Sequence, residues 1–278
     1  MEELDTPRGR IKPKLVSISP FPEGMGILLG QNVDIKDVLT MTVVMLGFRN
    51  ASVFTSSNGT VNRPHPSDLG FNDLLKEIAG KTGYHIGAMT EPVFKHQQSL
   101  NNVKTWAKYI AQLELELKQY REGQRSFSPN QAENVTTLIK FQENAEKAKL
   151  AITRSLTPLL RCTGTDRQIE LDKLIETIAT ANRHYWGELA DWLEEMMPSQ
   201  SDRVCIAGGT ANYFKVELQD FLKTKVVSPV EGAVCWHSAI ELPDRFKVYN
   251  DRFDDIYSLW QQMERRFVPA TVGSKVTT

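Results

Sequence analysis

An α/β domain with a long helical stretch set inside it is the fold class this sequence predicts, on three observations. The run Met41 to Leu46 is nearly continuous in apolar and β-branched residues and closes at Gly47, as a central strand covered on both faces does. Steps of three and four link Val103, Trp106, Ile110, Leu113, Leu117 and Tyr120 into the stripe of an amphipathic helix. Beyond Pro198 a strand-like Arg203 to Ala207 passes through Gly208 and Gly209 into another helix, a return to alternating strand and helix.

The elements follow in chain order. Residues 1–13 are charged and carry two prolines, and are expected to be disordered. An α/β subdomain is expected over residues 14–93. Leu15, Val16 and Ile18 read as a short strand stopped by Pro20, Pro22 and Gly24. Ala51 to Thr55 reads as the hairpin partner of the central strand, with Asn58 and Gly59 as turn residues and a third strand near Val61. Gly70 precedes Phe71, Leu74, Leu75 and Ile78, the face of a helix that ends between Gly80 and Gly83.

A helical subdomain is expected over residues 94–197, beginning beyond Pro92. Ser128, Pro129 and Gln131 supply a cap, a first-turn proline and a capping-box partner for a helix carrying Val135, Leu138, Ile152 and Leu156. Joined through Gly123 to Ser128, it makes an antiparallel hairpin with the helix before it. Thr165 and Gln168 repeat the capping spacing before Leu171, Leu174, Ile175, Ile178, Tyr185, Leu189, Trp192 and Met196, so a third helix runs to Pro198. Residues 198–267 return to the α/β subdomain, with helices from Ala211 to Leu222 and from Asp251 to Phe267, and residues 268–278 form a disordered tail.

Composition narrows the function classes. Thirty-three basic and thirty-four acidic residues in 278 give a net charge of -1, so charge offers no support for direct nucleic-acid binding. No stretch reaches the roughly 18 apolar residues of a membrane span, and no membrane role is expected. Three scattered cysteines, Cys162, Cys205 and Cys235, fit thiols in a reducing compartment, so a cytoplasmic protein is expected. The five histidines show no metal spacing, and no metal site is expected.

Two turns are the candidates for chemistry. Gly208 and Gly209, where a strand becomes a helix, let backbone approach a flat or phosphorylated ligand, and the helix amides that follow add a weak positive field. They match neither the P-loop nor the dinucleotide fingerprint, and paired glycines also make ordinary tight turns. Gly47, Phe48, Arg49, Asn50, Ala51 and Ser52 form the second turn, with amides and one arginine able to face a phosphate; a plain β-hairpin is the other reading.

Taken in order, these pieces resemble the second domain of actin-like ATPases, a ribonuclease H-like fold with a helical subdomain inserted, and in particular the plasmid-partitioning branch. Thr42 to Phe54 is similar to the hairpin carrying that family's second phosphate loop. Asp68-Leu69-Gly70-Phe71 resembles its next element, Ile206-Ala207-Gly208-Gly209-Thr210 its adenosine motif, and Arg245 to Asn250 its closing segment. The resemblance spans about Lys14 to Met263, and it covers the helical part by position alone.

What it implies is an actin-like cytoskeletal or plasmid-segregation protein that forms filaments. Gly208, Gly209 and Thr210 would contact adenosine, and Gly47, Arg49 and Asn50 would face the phosphates of ATP or ADP with Mg. Two departures qualify this. The family's aspartate that handles metal and water is matched by Met45, and a thioether cannot do that work. The family's first domain should also come before this one, yet only the residues before Lys14 do. The expectation is therefore a degenerate or truncated second domain with no catalytic residue, binding nucleotide weakly or not at all alone. Its partner would be a second copy or a separately encoded first domain. The alternative is a non-nucleotide interaction module acting through the helices of residues 94–197.

Overall fold

A computed structural model describes residues 4–6, 9–11, 24–29, 40–58, 60–62, 64–122, 131–226, 233–236 and 259–260. The expected strand at Leu15, the cap at Ser128 and Pro129, the closing segment Arg245 to Asn250 and the tail lie outside these residues. So does the last helix, apart from Leu259 and Trp260, which are helical.

The start of the chain departs from the expectation of disorder. Strands β1 (Leu4–Thr6) and β2 (Gly9–Ile11) pair antiparallel, Leu4 opposite Ile11. A short helix follows, α1 (Met25–Leu29). The main sheet then opens with β3 (Thr40–Leu46) and β4 (Ala51–Ser57), paired antiparallel from Thr40–Ser57 to Leu46–Ala51. Strands β5 (Thr60–Val61) and β6 (His65–Ser67) share the outer edge of β4. The turn at Asn58 takes φ 49°, a left-handed conformation that asparagine tolerates.

Helix α2 (Phe71–Thr82) buries Phe71, Leu74, Leu75 and Ile78, the face legible in the sequence. Helix α3 (Ile86–Arg121) begins earlier than expected and runs through Pro92. Proline removes one hydrogen bond there, the one that the carbonyl of the exposed Ala88 would otherwise accept. Helix α4 (Gln131–Leu156) returns antiparallel to α3. His96 donates from Nδ1 to the Ile152 carbonyl at 3.0 Å, and further out the rings of Trp106 and Phe141 lie 5.2 Å apart.

A 3-10 turn, Thr157–Leu159, leads to α5 (Thr165–Met196). The expected capping box is absent: Gly164 is the cap residue, Thr165 is already helical, and Gln168 donates to Asp172 at 2.8 Å instead. The i, i+4 partner is closer at hand for the glutamine than the backbone at the helix start. Glu170 does the fastening at this end. It accepts the amides of Arg161 and Cys162, each at 2.8 Å, and the Tyr84 hydroxyl at 2.6 Å, tying the approach to α3 to the start of α5. Desolvation and the Glu170 carboxylate push the Tyr84 phenol up to about 12.

The chain re-enters the sheet as β7 (Arg203–Ala207), parallel to β3, and continues into α6 (Gly209–Tyr213) and α7 (Lys215–Leu222), a helix broken at Phe214 rather than the single one expected. Strand β8 (Val234–Trp236) adds parallel to β7, giving the order β5-β4-β3-β7-β8 with β6 also on β4. The sheet is covered on both faces, as its continuous apolar strands require. Val44, Leu46, Val53, Val204 and Ile206 meet the helices, whereas Met41, Val43, Phe54, Cys205 and Ala207 meet Ile27 and Leu28 of α1.

The expected division at residues 94 and 197 does not part the core. Leu171, Leu174, Ile178, Tyr185, Leu189 and Leu193 of α5 belong to the same buried cluster as the strands and α2. Within the expected helical subdomain, the outer reach of the α3–α4 hairpin carries exposed Tyr109, Leu115, Val135 and Ile139, and Leu150 of α4 and Ile169 of α5 are exposed as well.

His96 makes the helical hairpin sensitive to acid. Burial holds its imidazole below the ordinary value, against a smaller opposing effect of the Ile152 carbonyl. The unfolded chain takes up a proton near pH 6.5 that the folded chain resists, so stability is complete above that pH and falls as pH drops toward the lower folded value. The expected loss is at most about 1.4 kcal/mol per pH unit across that window. Urea unfolding of wild type and His96→Gln between pH 7.5 and 5 checks this: the substitution should flatten the profile, and parallel profiles would refute the assignment.

Candidate functional site

Because β3 and β7 are parallel neighbours, with Met45 opposite Ala207, the turns that follow them leave the sheet at the same edge. Ligands of α/β sheets gather at the carboxyl ends of strands, so both sequence candidates occupy a favourable place. They also touch. The Thr210 hydroxyl donates to the Gly47 carbonyl at 2.7 Å.

Each turn is shaped by its neighbours. Gly208 takes φ 99°, and a Cβ there would stand 2.1 Å from the Leu46 carbonyl oxygen. Its lack of a side chain therefore lets β7 close on β3 and is not needed to admit a ligand. Gly47 donates to the Asn50 carbonyl at 2.8 Å, closing the two-residue loop of Phe48 and Arg49. Gly70 lies against that loop so closely that a Cβ would come within 2.3 Å of the Arg49 carbonyl carbon. The first amides of α2 are already spoken for: Phe71 donates to Gly47 at 3.3 Å and Asn72 to Phe48 at 2.8 Å. The start of α2 is thus no anion site.

The sequence candidates accordingly divide. Gly208 and Thr210 tie the edge together, Thr210 being only 1% exposed. Gly209 is exposed, with open space where a Cβ would stand, and Arg49 is exposed beside half-buried Gly47 and Asn50. Met45 points the other way, partly buried against the cluster of Phe54, Val43 and Ala207. It offers no oxygen to a metal, so no hydrolytic step can be derived through that position. Asp68, one step past the Ala51–Ser67 pair, lies opposite Asn50 and is exposed.

A cavity of about 610 Å³ runs between α3 and the α6–α7 pair, and sequence reasoning missed it. Asn101, Asn102, Asn212 and Gln219 line it with amides, and Lys104, Lys108 and Lys215 bring charge. Asp220 is the acidic member; its carboxyl is held below the usual range first by Lys223 and then by Lys108 and Lys104. Lys104 is paired with Glu217 at 3.3 Å and Lys215 lies over the Trp236 ring, so the lining keeps a modest positive excess beside its amides, which suits a polar ligand with hydrogen-bonding edges.

A closed hydrogen-bond circuit holds α6 against α3 and α5. Tyr213 donates its hydroxyl to Asn182 at 2.8 Å, Asn182 donates to Gln97 at 3.1 Å, and Gln97 donates to Asn101 at 3.1 Å. Asn101 closes the ring by donating to the Tyr213 carbonyl at 3.0 Å. The Tyr213 ring is in turn 4.9 Å from Phe71 and 4.8 Å from Phe214. The wall of the cavity is therefore rigidly backed.

No protein-family model matches this chain, and no curated protein does. Solved structures are similar in outline. One is a type IV pilus biogenesis complex of PilM and PilN, at 11% identity and a TM-score of 0.41, covering 86% of this chain and 51% of the other. Another is the apo form of Bacillus thuringiensis ParM, at 12% identity and 0.33, covering 87% and 52%. A third is the apo pSK41 ParM protein, at 13% identity and 0.31, covering 88% and 49%. The chain spans about half the length of these solved chains. At such identities and scores the likeness carries no weight for function.

Proposed function

We propose that this chain is a nucleotide-facing domain of actin-like type, holding an adenine nucleotide at the edge between Gly209 and the Gly47–Asn50 turn. The contact of Thr210 with Gly47, which brings the two turns side by side at one sheet edge, is the observation that carries this reading. Arg49 would meet the phosphates as an exposed guanidinium. The base and ribose would enter the amide-lined cavity beside Asn212, which follows Gly209 by one helical turn. Any magnesium would arrive with the nucleotide, since Met45 cannot hold it. Turnover by this chain alone is accordingly expected to be negligible, and assembly with a second copy or a complementary domain would be its role in a filament or a segregation apparatus.

Gly209→Val separates this reading from its rivals. A Cβ at this position meets nothing within 4 Å, and valine is no poorer a helix former than glycine, so the fold should be undisturbed. Affinity for a fluorescent ADP analogue should fall by about tenfold or more, equivalent to about 1.4 kcal/mol. A wild-type titration that stays flat to millimolar nucleotide would end the proposal, as would equal affinity in the variant.

A second reading rests on the apolar side chains that the α3–α4 hairpin leaves uncovered: Tyr109 at 46%, Leu115 at 57% and Ile139 at 52% exposure. In the antiparallel register Tyr109 and Ile139 stand at about the same level, and exposed apolar side chains on such a hairpin suit a protein partner. This interaction module gains if the titration is flat while a partner is captured by wild type and lost by Leu115→Asp and Ile139→Asp.

A further inference from the structure

The two cysteines that meet in the sheet have chemistry the proposed function does not use. Cys205 of β7 lies directly opposite Cys235 of β8 in the parallel ladder, thirty positions on in the chain. Residues opposite one another share a face, and neighbouring strands run about 4.8 Å apart. That spacing falls inside the roughly 4.4–6.8 Å range of Cα separations that disulfides span. Both side chains join the cluster on the α1 side of the sheet, Cys205 fully buried and Cys235 half-buried.

We propose that Cys205 and Cys235 are a peroxide-sensitive dithiol that closes to a disulfide between β7 and β8. The environment assigns the roles. The Cys205 thiol and the charge of Arg203 stabilise a thiolate at Cys235 and hold it below the ordinary thiol value, whereas Cys205, fully buried, is pushed up as the partner that keeps its proton. The more accessible sulfur is therefore the nucleophile. Cys162, although exposed, is poorly placed to compete: partial desolvation and the Glu170 carboxylate push its thiol up.

The steps balance. The Cys235 thiolate attacks one oxygen of hydrogen peroxide, the O–O bond breaks, and a sulfenic acid and hydroxide result. The Cys205 sulfur then attacks the Cys235 sulfur as its proton leaves, the S–O bond breaks, and water departs. Two thiols and one peroxide become one disulfide and two waters. The bond would clamp β8 to β7 two residues before Ala207, and so stiffen the approach to the Gly208 turn.

Peptide mapping of the full chain after mild hydrogen peroxide treatment and alkylation tests this. The expected product is a single cross-linked peptide pair joining Cys205 to Cys235, lighter by two hydrogens and reversed by dithiothreitol. Cys205→Ser should instead accumulate a dimedone-trapped sulfenic acid at Cys235, and Cys235→Ser should leave Cys205 unmodified at the same dose. Reaction first at Cys162 would overturn the proposal. So would sulfinic acid at Cys235 alongside an intact Cys205 thiol in the wild-type chain. The wild-type map decides the matter even if either serine variant fails to fold.

Discussion

Gly208→Ala should be among the most destabilising single substitutions in the molecule, lowering unfolding free energy by on the order of 4 kcal/mol in urea titrations. Two independent causes combine. A backbone at φ 99° and ψ 155° lies in a region that is essentially glycine's own, and forcing another residue there costs about 1–3 kcal/mol. The new Cβ would also stand 2.1 Å from the Leu46 carbonyl oxygen, an overlap with backbone that only separation of β3 from β7 relieves, at a further cost of about 1–3 kcal/mol. Gly209→Ala is the control. Its Cβ meets nothing within 4 Å, and replacing a helical glycine by alanine should be neutral or stabilise by up to about 1 kcal/mol. Equal effects at the two positions would show that the strand ends do not meet as described.

Asn182→Ala should cost about 2–5 kcal/mol, more than truncating a half-buried side chain of α5 would otherwise do. It takes the acceptor from the Tyr213 hydroxyl and the donor from the Gln97 side chain, and both partners are buried. Each group left unsatisfied costs about 1–3 kcal/mol. Tyr213→Phe removes one bond of the circuit and should cost about 1–2 kcal/mol. If the ring of bonds acts as a unit, the double variant should fall short of the summed single effects by more than about 0.5 kcal/mol. Strict additivity, measured by chemical denaturation of the four proteins, would reduce the circuit to separate contacts.

Strands β3, β4, β5 and β7 and helix α2 were legible because their signals are local, whereas β6 and β8, three residues each, were not. The run Met41 to Leu46, the glycine after it and the spacing of Phe71, Leu74 and Ile78 each report an environment through adjacent residues. What covers each face was not legible. The stripe of α5 announced a packed helix but not that it lies in the core of the sheet, since a stripe carries no address. Thr165 misled because the capping-box spacing also occurs one residue inside a helix whose true cap is Gly164.

The site was half visible. Glycine turns stand out in a sequence, but the reason for Gly208, the Leu46 carbonyl, is found only when two strands are laid side by side. The cavity's cations come from positions as far apart as Lys104 and Lys215, and the thiol pair depends on the register of β7 with β8. Neither leaves a mark at short range.

The Gly47 carbonyl accepts both the Thr210 hydroxyl and the Phe71 amide, so the hairpin, α2 and α6 meet at a single oxygen with both lone pairs in use. Binding loops usually belong to the parts of a protein that open first, but this edge is knotted into the elements that should open last. The amides of Phe71 and of the core strands should therefore exchange with solvent hydrogen at comparable, slow rates. A guest arriving here would find its host already arranged, with little ordering left to do on binding. Its effect would be felt less as a local change of shape than as a rise in the melting temperature of the whole domain, growing with the logarithm of its concentration.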